Sequence, residues 1–356
     1  MSQDRPLYLH EFRPKTEIVV EEHLLDAPKF PAIDIHTHLG ALYSDYLASE
    51  FGVKRADVNE TVDMFKRHGI KRIVNLDGFW DGFAGLTVDQ VFKCLDKYAD
   101  YIITFVSVNT ERAKQPGFEE YVRLHLQASK AKGAKGIKLF KAVSLMVYNA
   151  EGKLVQGRNI AIDDQRLKVI WQMAEELDMP VLAHIGDPKA FFQPVDGSNE
   201  QYEELILHPD WSYAAPGLYT FAEMMAMQEN LLHDNPGTTF IIPHFGSYPE
   251  NLGFVGACLD RYPNMFIDTA ERIRELGRQP YTARKFFTRY QDRILFGSDA
   301  YTEGMDWRYP WYFRFFETFD ENFGGRWKLY GIGLEDEILE KLYYKNAEKI
   351  LKLDSP

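Results

Sequence analysis

Near its N-terminus the chain reads Pro31-Ala32-Ile33-Asp34-Ile35-His36-Thr37-His38-Leu39-Gly40, a short apolar strand that ends in His-x-His before a glycine. Side chains alternate between the two faces of a strand, so His36 and His38 are predicted to point the same way. Two imidazoles directed at one point can bind zinc or a similar transition metal. Taken alone, the motif fits two ordinary histidines at a strand end equally well.

Apolar strands of the same kind recur along the chain and alternate with helical patterns. The predicted strands cover 32–38, 70–78, 101–109, 135–141, 180–186, 238–246, 264–270 and 293–300. The predicted helices cover 57–69, 87–99, 117–132, 164–178, 220–234, 250–261, 280–290 and 335–351. This alternation predicts an α/β fold with a parallel sheet, and eight repeats predict a (β/α)8 TIM barrel. An open doubly wound sheet is the alternative, although no Gly-x-Gly-x-x-Gly follows a strand.

The segments around the predicted strands complete a single domain over 1–356. Residues 1–30 are charged and form an N-terminal arm, the barrel strands lie within 32–300, and 301–356 form an aromatic loop and a final helix. A long insertion, 187–219, follows strand five. A connection of this length within a compact domain is usually functional.

Composition limits the partners and the compartment. The 356 residues carry a net charge of −12, which disfavours nucleic acid and membrane surfaces as partners but permits a small anionic substrate near local arginines. Two cysteines without a Cys-x-x-Cys motif exclude a sulfur-rich zinc site and indicate a reducing compartment, so a cytoplasmic location is expected. Residues 1–20 have no apolar core of a signal peptide, and no apolar run is long enough to span a membrane.

Polar residues gather at the predicted C-terminal ends of the strands, where the mouth of a barrel lies. They are His36 and His38 (strand one), Lys138 (four), His184 (five), His244 (six) and Asp299 (eight). Singly, His184 fits a hydrogen-bonded core histidine, His244 a turn residue and Asp299 a helix N-cap. Together they are hard to explain as packing, because each buried polar group would need a separate partner.

The segments that carry these residues resemble the amidohydrolase superfamily. The closer resemblance is to the amidohydrolase-related branch that includes aminocarboxymuconate-semialdehyde decarboxylase and resorcylate-type decarboxylases. The matching segments are Ile33-Asp34-Ile35-His36-Thr37-His38, Leu182-Ala183-His184, Ile242-Pro243-His244-Phe245-Gly246 and Leu295-Phe296-Gly297-Ser298-Asp299. They span residues 32–300 in the family's order, and they do not specify a substrate.

The resemblance implies one divalent metal, with zinc expected and manganese as the alternative, and four ligands: His36, His38, His184 and Asp299. Asp299 would also accept the proton of the metal-activated water, and His244 would act as acid/base or electrostatic stabiliser. Lys138 leaves an alternative open. It is either a carboxylated lysine that bridges two metals, with His244 on the second, or a plain ammonium that binds a substrate carboxylate.

Several residues are candidates for substrate contacts. Arg272, after strand seven, either clamps a carboxylate or begins a solvated helix. The rings of Phe191, Phe192 and Trp211 either form a lid or wall over the site, or fix the insertion to the barrel or to a second subunit. Asp77 and Asp187, near strand ends, are candidates to support the histidines.

Three functions compete. The first is a metal-dependent hydrolase that attacks a C–N or C–O bond (amide, lactone or ester) of a small carboxylated compound. The second is a metal-dependent non-oxidative decarboxylase, or a hydratase, of an aromatic or dienoic acid. The third is a catalytically inactive binding barrel, which predicts a broken ligand set, whereas this set is complete. A homodimer is expected, because barrels of this branch are often dimers.

Overall fold

Eight parallel strands and one small hairpin make up the sheets of the protein. The structure, a computed structural model, describes residues 7–8, 11–12, 14–50, 52–151, 153–302, 307–325 and 327–353. The strands are β1 (Ala32–Thr37), β2 (Ile70–Asn75), β3 (Ile102–Val106), β4 (Gly136–Leu139), β5 (Met146–Tyr148), β6 (Leu154–Gln156), β7 (Val181–Ala183), β8 (Phe240–Ile242), β9 (Met265–Asp268) and β10 (Ile294–Leu295). The parallel sheet has the order β1-β2-β3-β4-β7-β8-β9-β10, and β5 pairs with β6 in the hairpin.

The sheet closes between its first and last strands. A parallel bridge joins Thr37 to Ala300, and the amide of Ile35 donates to the carbonyl of Phe296 at 3.0 Å. The predicted (β/α)8 barrel is therefore confirmed, and the open doubly wound sheet is excluded. The long insertion after the fifth barrel strand is also present, between β7 and the next long helix.

Helices flank the barrel. In the described residues they are α1 (Asp45–Glu50), α2 (Val58–Arg67), α3 (Val88–Leu95), α4 (Phe118–Ala131), α5 (Ala142–Leu145), α6 (Lys168–Glu176), α7 (Tyr202–Leu207), α8 (Phe221–Asp234), α9 (Leu252–Arg261), α10 (Ile273–Gly277), α11 (Pro280–Arg289), α12 (Arg308–Glu317), α13 (Asp336–Glu340) and α14 (Asn346–Leu351). Thr87 and Thr220 begin α3 and α8 as capping boxes with Gln90 and Glu223. These caps satisfy amide groups that have no partner in the first helical turn.

Apolar side chains fill the interior of the barrel. The interior cluster contains, from the strands, Ile33, Ile35, Val74, Leu76, Ile103, Phe105, Leu182, Ile241 and Leu295. The Phe105 ring occupies the space beside Gly136, where a Cβ atom would lie 2.3 Å from the ring. Helix α14 packs Ala347 and Leu351 against the same cluster. The barrel is therefore a filled core, and a site has room only at its mouth.

The prediction of one aromatic loop and one helix in 301–356 is wrong in one respect, because Arg308–Glu317 forms helix α12. Aromatic residues have modest helix propensity and Pro310 lies in the segment, which made a loop the natural expectation. Pro310 falls in the first turn of α12, however, where no helical hydrogen bond is lost. Burial of Tyr309, Phe313 and Phe316 then stabilises the helix.

The connection between β4 and α6 contains the β5–β6 hairpin, which the sequence did not predict as strands. Residues 149–151 and Lys153 belong to the loop of this hairpin, and Gly152 lies outside the described residues. The amide of Asn149 donates to the carbonyl of Lys153 at 2.9 Å. Both strands are three residues long and partly exposed, so they give little periodic signal.

The N-terminal arm lies on the C-terminal part of the chain. Residues 14–31 form no helix or strand, and Lys29 pairs with Asp336 at 2.6 Å while the amide of His23 donates to Asp320 at 2.6 Å. Residues 1–6, 9, 10 and 13 of the predicted arm lie outside the described residues. Across the described chain, every helix is too short or too polar to cross a bilayer.

Candidate metal centre

Polar side chains continue the inward-facing rows of the barrel strands. Phe105 and Leu182 face the interior, so strand alternation directs Ser107 and His184, two residues further on, inward at the mouth. Lys138 on β4 pairs in register with Leu182 on β7 and is completely buried. The mouth of the barrel therefore begins as a ring of polar groups directly above an apolar core.

His36 and His38 are fixed in orientation by two buried aspartates. The register of β1 against β2 slips by one residue between Asp34 and Thr37, where the chain turns toward the mouth. His36 Nδ1 lies 2.8 Å from Asp268 Oδ2, and His38 Nδ1 lies 2.7 Å from Asp77 Oδ1. Carboxylates accept hydrogen bonds, so both Nδ1 atoms carry the proton and each Nε2 is left to bind a ligand.

Asp299 lies between the two Nε2 atoms. Its Oδ1 is 3.3 Å from His36 Nε2 and 3.3 Å from His38 Nε2. Burial raises the pKa of Asp299, but His36 and His38 outweigh it and hold the pKa well below its usual range. The preceding Gly297 allows this approach, because a Cβ there would lie 3.0 Å from the Cβ of His36. Asp299 is therefore an ionised carboxylate at neutral pH.

His244 reaches the centre through a left-handed turn. Alternation from Ile241 would direct Pro243 inward, but His244, Phe245 and Ser247 have φ of 54°, 57° and 62°. Left-handed non-glycine residues cost about 1–2 kcal/mol each, and burial of the Phe245 ring beside two further phenylalanines offsets this cost. The turn brings a ligand atom of His244 within 4.8 Å of those of His36 and Asp299.

The protonation state of His244 follows from its neighbours. Its Nδ1 lies 3.0 Å from the carbonyl oxygen of Ala270, which only accepts, so Nδ1 is the donor and Nε2 is bare. Burial lowers the pKa of His244 well below its usual value, and the fields of His184 and Arg272 lower it further. His244 is thus a neutral imidazole that presents a lone pair.

His184 is held differently from the other three histidines. Its ring centre lies 4.3 Å from that of His244, and its Nε2 lies 3.4 Å from Asp187 Oδ1. Asp187 Oδ2 pairs with Lys141 at 2.6 Å. The carboxylate of Asp187, at the start of the insertion, therefore contacts both His184, which follows β7, and Lys141, which follows β4. Burial lowers the pKa of His184 to about 4 although Asp187 opposes the shift, so this imidazole is also neutral at pH 7.

Two buried aspartates that the sequence analysis did not single out support the centre. Asp268 accepts from His36 Nδ1, from the amide of His244 at 2.9 Å and from the amide of Ala270 at 3.0 Å. Asp34 accepts from the amide of His36 at 3.0 Å and from Tyr309 at 2.7 Å. Their signal in the sequence was a lone aspartate inside an otherwise apolar strand.

The other predicted site residues separate into two groups. Lys138 is buried at the mouth, and its Nζ has no hydrogen-bond partner among the described residues. Arg272 is 9% exposed, its Nη1 donates to the carbonyl of Glu271 at 2.9 Å, and its field reaches His244. The rings of Phe191, Phe192 and Trp211 instead pack on rings of the insertion and α8, such as Tyr213 and Phe221.

The donors at the mouth fit a divalent metal. His36 Nε2 is buried without a hydrogen-bond partner in the described part of the chain, and His184 Nε2 has only the 3.4 Å approach of Asp187 Oδ1, which is costly unless a ligand satisfies both atoms. Neutral imidazoles with one carboxylate are typical ligands of zinc, manganese and iron. In the described residues, His36, His244 and Asp299 are the only three His, Cys, Asp or Glu side chains that each bring one ligand atom within 4.8 Å of the other two.

Metal affinity is expected to rise with pH up to about pH 9. Burial lowers the pKa of His38, but Asp77 and Asp299 outweigh it and raise the pKa to about 9. The predicted ligand role of His38 implies that a proton competes with the ion for its Nε2 below that pH, so the Kd is expected to increase about tenfold for each pH unit lost. Competition with a chelator between pH 6.5 and 9.5 measures this slope. Asp77→Asn should move the break to lower pH, and an affinity independent of pH between 7 and 9 would contradict the argument.

The fold and this site together define a barrel protein with a histidine-rich centre at the C-terminal ends of its strands. The sequence profile described as Amidohydrolase matches residues 33–353. The chain therefore belongs to the amidohydrolase family, a family of enzymes whose members bind a divalent metal. This confirms the predicted family. No curated protein matches the sequence.

Solved structures of similar fold include decarboxylases and a hydrolase. The chain is similar to 2,6-dihydroxybenzoate decarboxylase from Rhizobium, with 16% identity, a TM-score of 0.57 and coverage of 92% of this chain and 100% of the other. It is also similar to 5-carboxyvanillate decarboxylase from Novosphingobium aromaticivorans in complex with manganese, with 14% identity, a TM-score of 0.53 and coverage of 91% of this chain and 97% of the other. A probable 2-pyrone-4,6-dicarboxylic acid hydrolase from Acinetobacter baumannii has 13% identity and a TM-score of 0.50, with coverage of 91% of this chain and 100% of the other. At these identities the likeness concerns the fold.

Proposed function

We propose that the protein is a metal-dependent hydrolase that cleaves a C–N or C–O bond, in an amide, lactone or ester, of a small carboxylated substrate. One divalent ion, zinc in our proposal and manganese as the alternative, would be held by His36, His38, His184 and Asp299. The observation that carries the proposal is the position of Asp299. This ionised carboxylate lies 3.3 Å from His36 Nε2 and 3.3 Å from His38 Nε2, while each histidine donates from Nδ1 to a buried aspartate.

The residues at the mouth divide the work of hydrolysis. A bound divalent ion supplies Lewis-acid chemistry, polarising a substrate oxygen and lowering the pKa of water. Asp299 is ionised, so it can accept the proton of the attacking water and later deliver it to the leaving group. His244 is neutral with a bare Nε2, so it can orient that water or take up a proton.

Arg272 is proposed to bind the carboxylate of the substrate. Its guanidinium is buried near His244, and its Nε has no hydrogen-bond partner among the described residues. A buried guanidinium with unused donors favours a bidentate carboxylate ligand. Arg272 is the N-cap of α10, so the helix start of the alternative interpretation is present, but Arg272 is buried and not solvated.

Arg272→Met is expected to raise KM for the carboxylated substrate by at least about tenfold with a smaller change in kcat, because a charge-assisted hydrogen bond is lost from ground and transition states alike. Steady-state kinetics measure both constants. The matched control is Arg274→Met, which removes a half-exposed arginine two residues away that lies 4.0 Å from Glu204. Equal KM values for the two variants would contradict the role of Arg272.

A decarboxylase is the second candidate, and one observation favours it. Beside the centre, the rings of Phe79 and Phe140 stack with centres 5.7 Å apart and line an apolar cavity. A carboxylate is less stable in such surroundings than in water, which favours loss of CO2 with a proton taking its place on carbon. Two similar structures are named as decarboxylases of aromatic acids.

The two candidates differ in the atoms gained by the product. The metal-loaded protein would be incubated in 18O-water with panels of lactones and amides of small carboxylic acids and with hydroxybenzoates. Hydrolysis is supported by metal-dependent incorporation of 18O into the organic product without release of CO2. Metal-dependent CO2 release without 18O incorporation would overturn the hydrolase in favour of the decarboxylase. Asp299→Asn distinguishes true turnover from contamination, since both reactions require this site.

A further inference from the structure

A partly open cavity lies next to the candidate metal centre at the ends of β3 and β4. Its volume is about 300 Å3, and its walls include Phe79, Trp80, Phe83 and Phe140. The β5–β6 hairpin contributes Met146 and other residues to the outer wall. The rings of Phe79 and Phe140 lie nearly parallel, at 15°, and the Phe140 ring lies 6.1 Å from that of His38. A flat apolar group fits such a space.

Several polar residues interrupt this lining, and two of them, Lys138 and Ser107, are fully buried without a hydrogen-bond partner for the side chain in the described part of the chain. Lys138 is 0% exposed and Ser107 is 1% exposed, and both residues line the cavity. Lys138 Nζ and Ser107 Oγ have no hydrogen-bond partner among the described residues. β3 and β4 pair in parallel with Val106 opposite Ile137, so Ser107 and Lys138 follow side by side on neighbouring strands. Both side chains therefore project from the same level of the barrel.

Burial without partners identifies the ligand chemistry. A buried ammonium or hydroxyl without a hydrogen bond destabilises a protein, and such groups are rare in folded proteins outside binding sites. An ammonium donates only, and a serine hydroxyl can also donate, so a single anionic oxygen group satisfies both. The one carboxylate among the described lining residues, Glu111, is paired with Lys114 at 2.7 Å. The charges of Asp299, Asp268 and Asp77 reach Lys138 from the centre, but none of these carboxylates is hydrogen-bonded to Lys138 Nζ.

We propose that Lys138 and Ser107 form an anion-binding subsite for an oxygen anion, a carboxylate or a phenolate, carried on a flat apolar part of the substrate that lies against Phe79 and Phe140. The inference deepens the proposed function, on which it rests, because it names a second charged group on the substrate. Arg272 follows β9, whereas Lys138 lies on β4, so the carboxylate proposed for Arg272 and the anion proposed for Lys138 lie at different strand ends. The substrate then has two anionic groups and a flat body.

Benzoate and benzamide are the probes, because they share a ring and differ in charge. Isothermal titration calorimetry on the zinc-loaded protein is expected to give benzoate an affinity at least about tenfold above that of benzamide. Lys138→Met and Ser107→Ala should each weaken benzoate binding, by about tenfold or more for Lys138→Met, and leave benzamide unchanged. Lys130→Met and Ser129→Ala on α4, outside the barrel interior, are the matched controls and should bind both probes as the wild type does.

Three outcomes would overturn the subsite. The first is equal affinity for the two probes. The second is benzoate affinity that falls in Arg272→Met and is unchanged in Lys138→Met, which places the anion at Arg272. The third is tighter binding of benzamide than of benzoate, as expected if Lys138 is a carboxylated, anionic lysine.

The controls keep this test separate from that of the proposed function. Ser107→Ala removes a single oxygen atom, so it remains informative if Lys138→Met does not fold. Calorimetry reads binding without turnover. Benzoate binding that depends on Lys138, in a protein that releases CO2 from the panel without 18O incorporation, would refute the hydrolase and leave the subsite standing.

Discussion

Asp299→Asn is expected to lower kcat by at least about a thousandfold, the loss typical when a positioned proton acceptor is removed. Asparagine keeps an oxygen at the same place but has neither the charge nor the basicity of the carboxylate. The loss should exceed that of any substitution in the insertion, because Asp299 is the residue shared by His36 and His38. Steady-state kinetics on protein of measured metal content separate lost chemistry from lost metal.

The control for Asp299 is an aspartate in the same part of the chain with no contact to the centre. Asp292→Asn removes a surface carboxylate whose partner is Lys341, at 2.9 Å, and should leave kcat within about twofold of wild type. A kcat for Asp299→Asn within tenfold of wild type, at full metal occupancy, would show that another group accepts the proton.

Asp268→Ala is expected to weaken metal binding by about 10–100-fold and to lower the free energy of unfolding by about 3 kcal/mol. The alanine leaves His36 Nδ1 and the amides of His244 and Ala270 buried without an acceptor. The two effects have one cause, because the same carboxylate orients a ligand and holds the left-handed turn. Chelator competition measures the first effect, and urea unfolding of the metal-free protein measures the second.

Asp268→Asn separates these contributions. Asparagine retains an oxygen for the two backbone amides, so most of the stability should return while metal affinity stays low. A metal-free Asp268→Ala protein as stable as wild type would mean that water replaces the carboxylate at the turn. Asp196→Ala, an exposed aspartate within the insertion, is the matched surface control and should change neither quantity.

Much of the fold followed from the sequence because each barrel strand is an apolar run next to a helical pattern. The strand ends also placed His36, His38, Lys138, His184 and Asp299 at one mouth, since parallel strands share a carboxyl edge. Their roles as ligands, acids or bases remain predictions that the metal and kinetic measurements address.

What the sequence did not reveal depends on contacts between distant segments. Asp268 is a support of the centre only because β9 lies near both His36 and His244, and Ser107 is a candidate donor only because no acceptor lies beside it. The left-handed turn at His244 has no local signature apart from Gly246, because tertiary packing stabilises it. Helix α12 was missed for the same reason, since burial of its rings outweighs its modest propensity.

The filled barrel interior has a kinetic consequence. Phe105 and the other interior side chains, with Ala347 and Leu351 of α14 against them, leave no passage toward the N-terminal ends of the strands. Substrate must enter, and every product must leave, through the same opening. A product that retains the carboxylate for which Arg272 is the proposed partner is therefore expected to compete with fresh substrate for the vacated site. Progress curves should slow before substrate is exhausted, and that product, added at the start, should raise the apparent KM without changing the maximal rate.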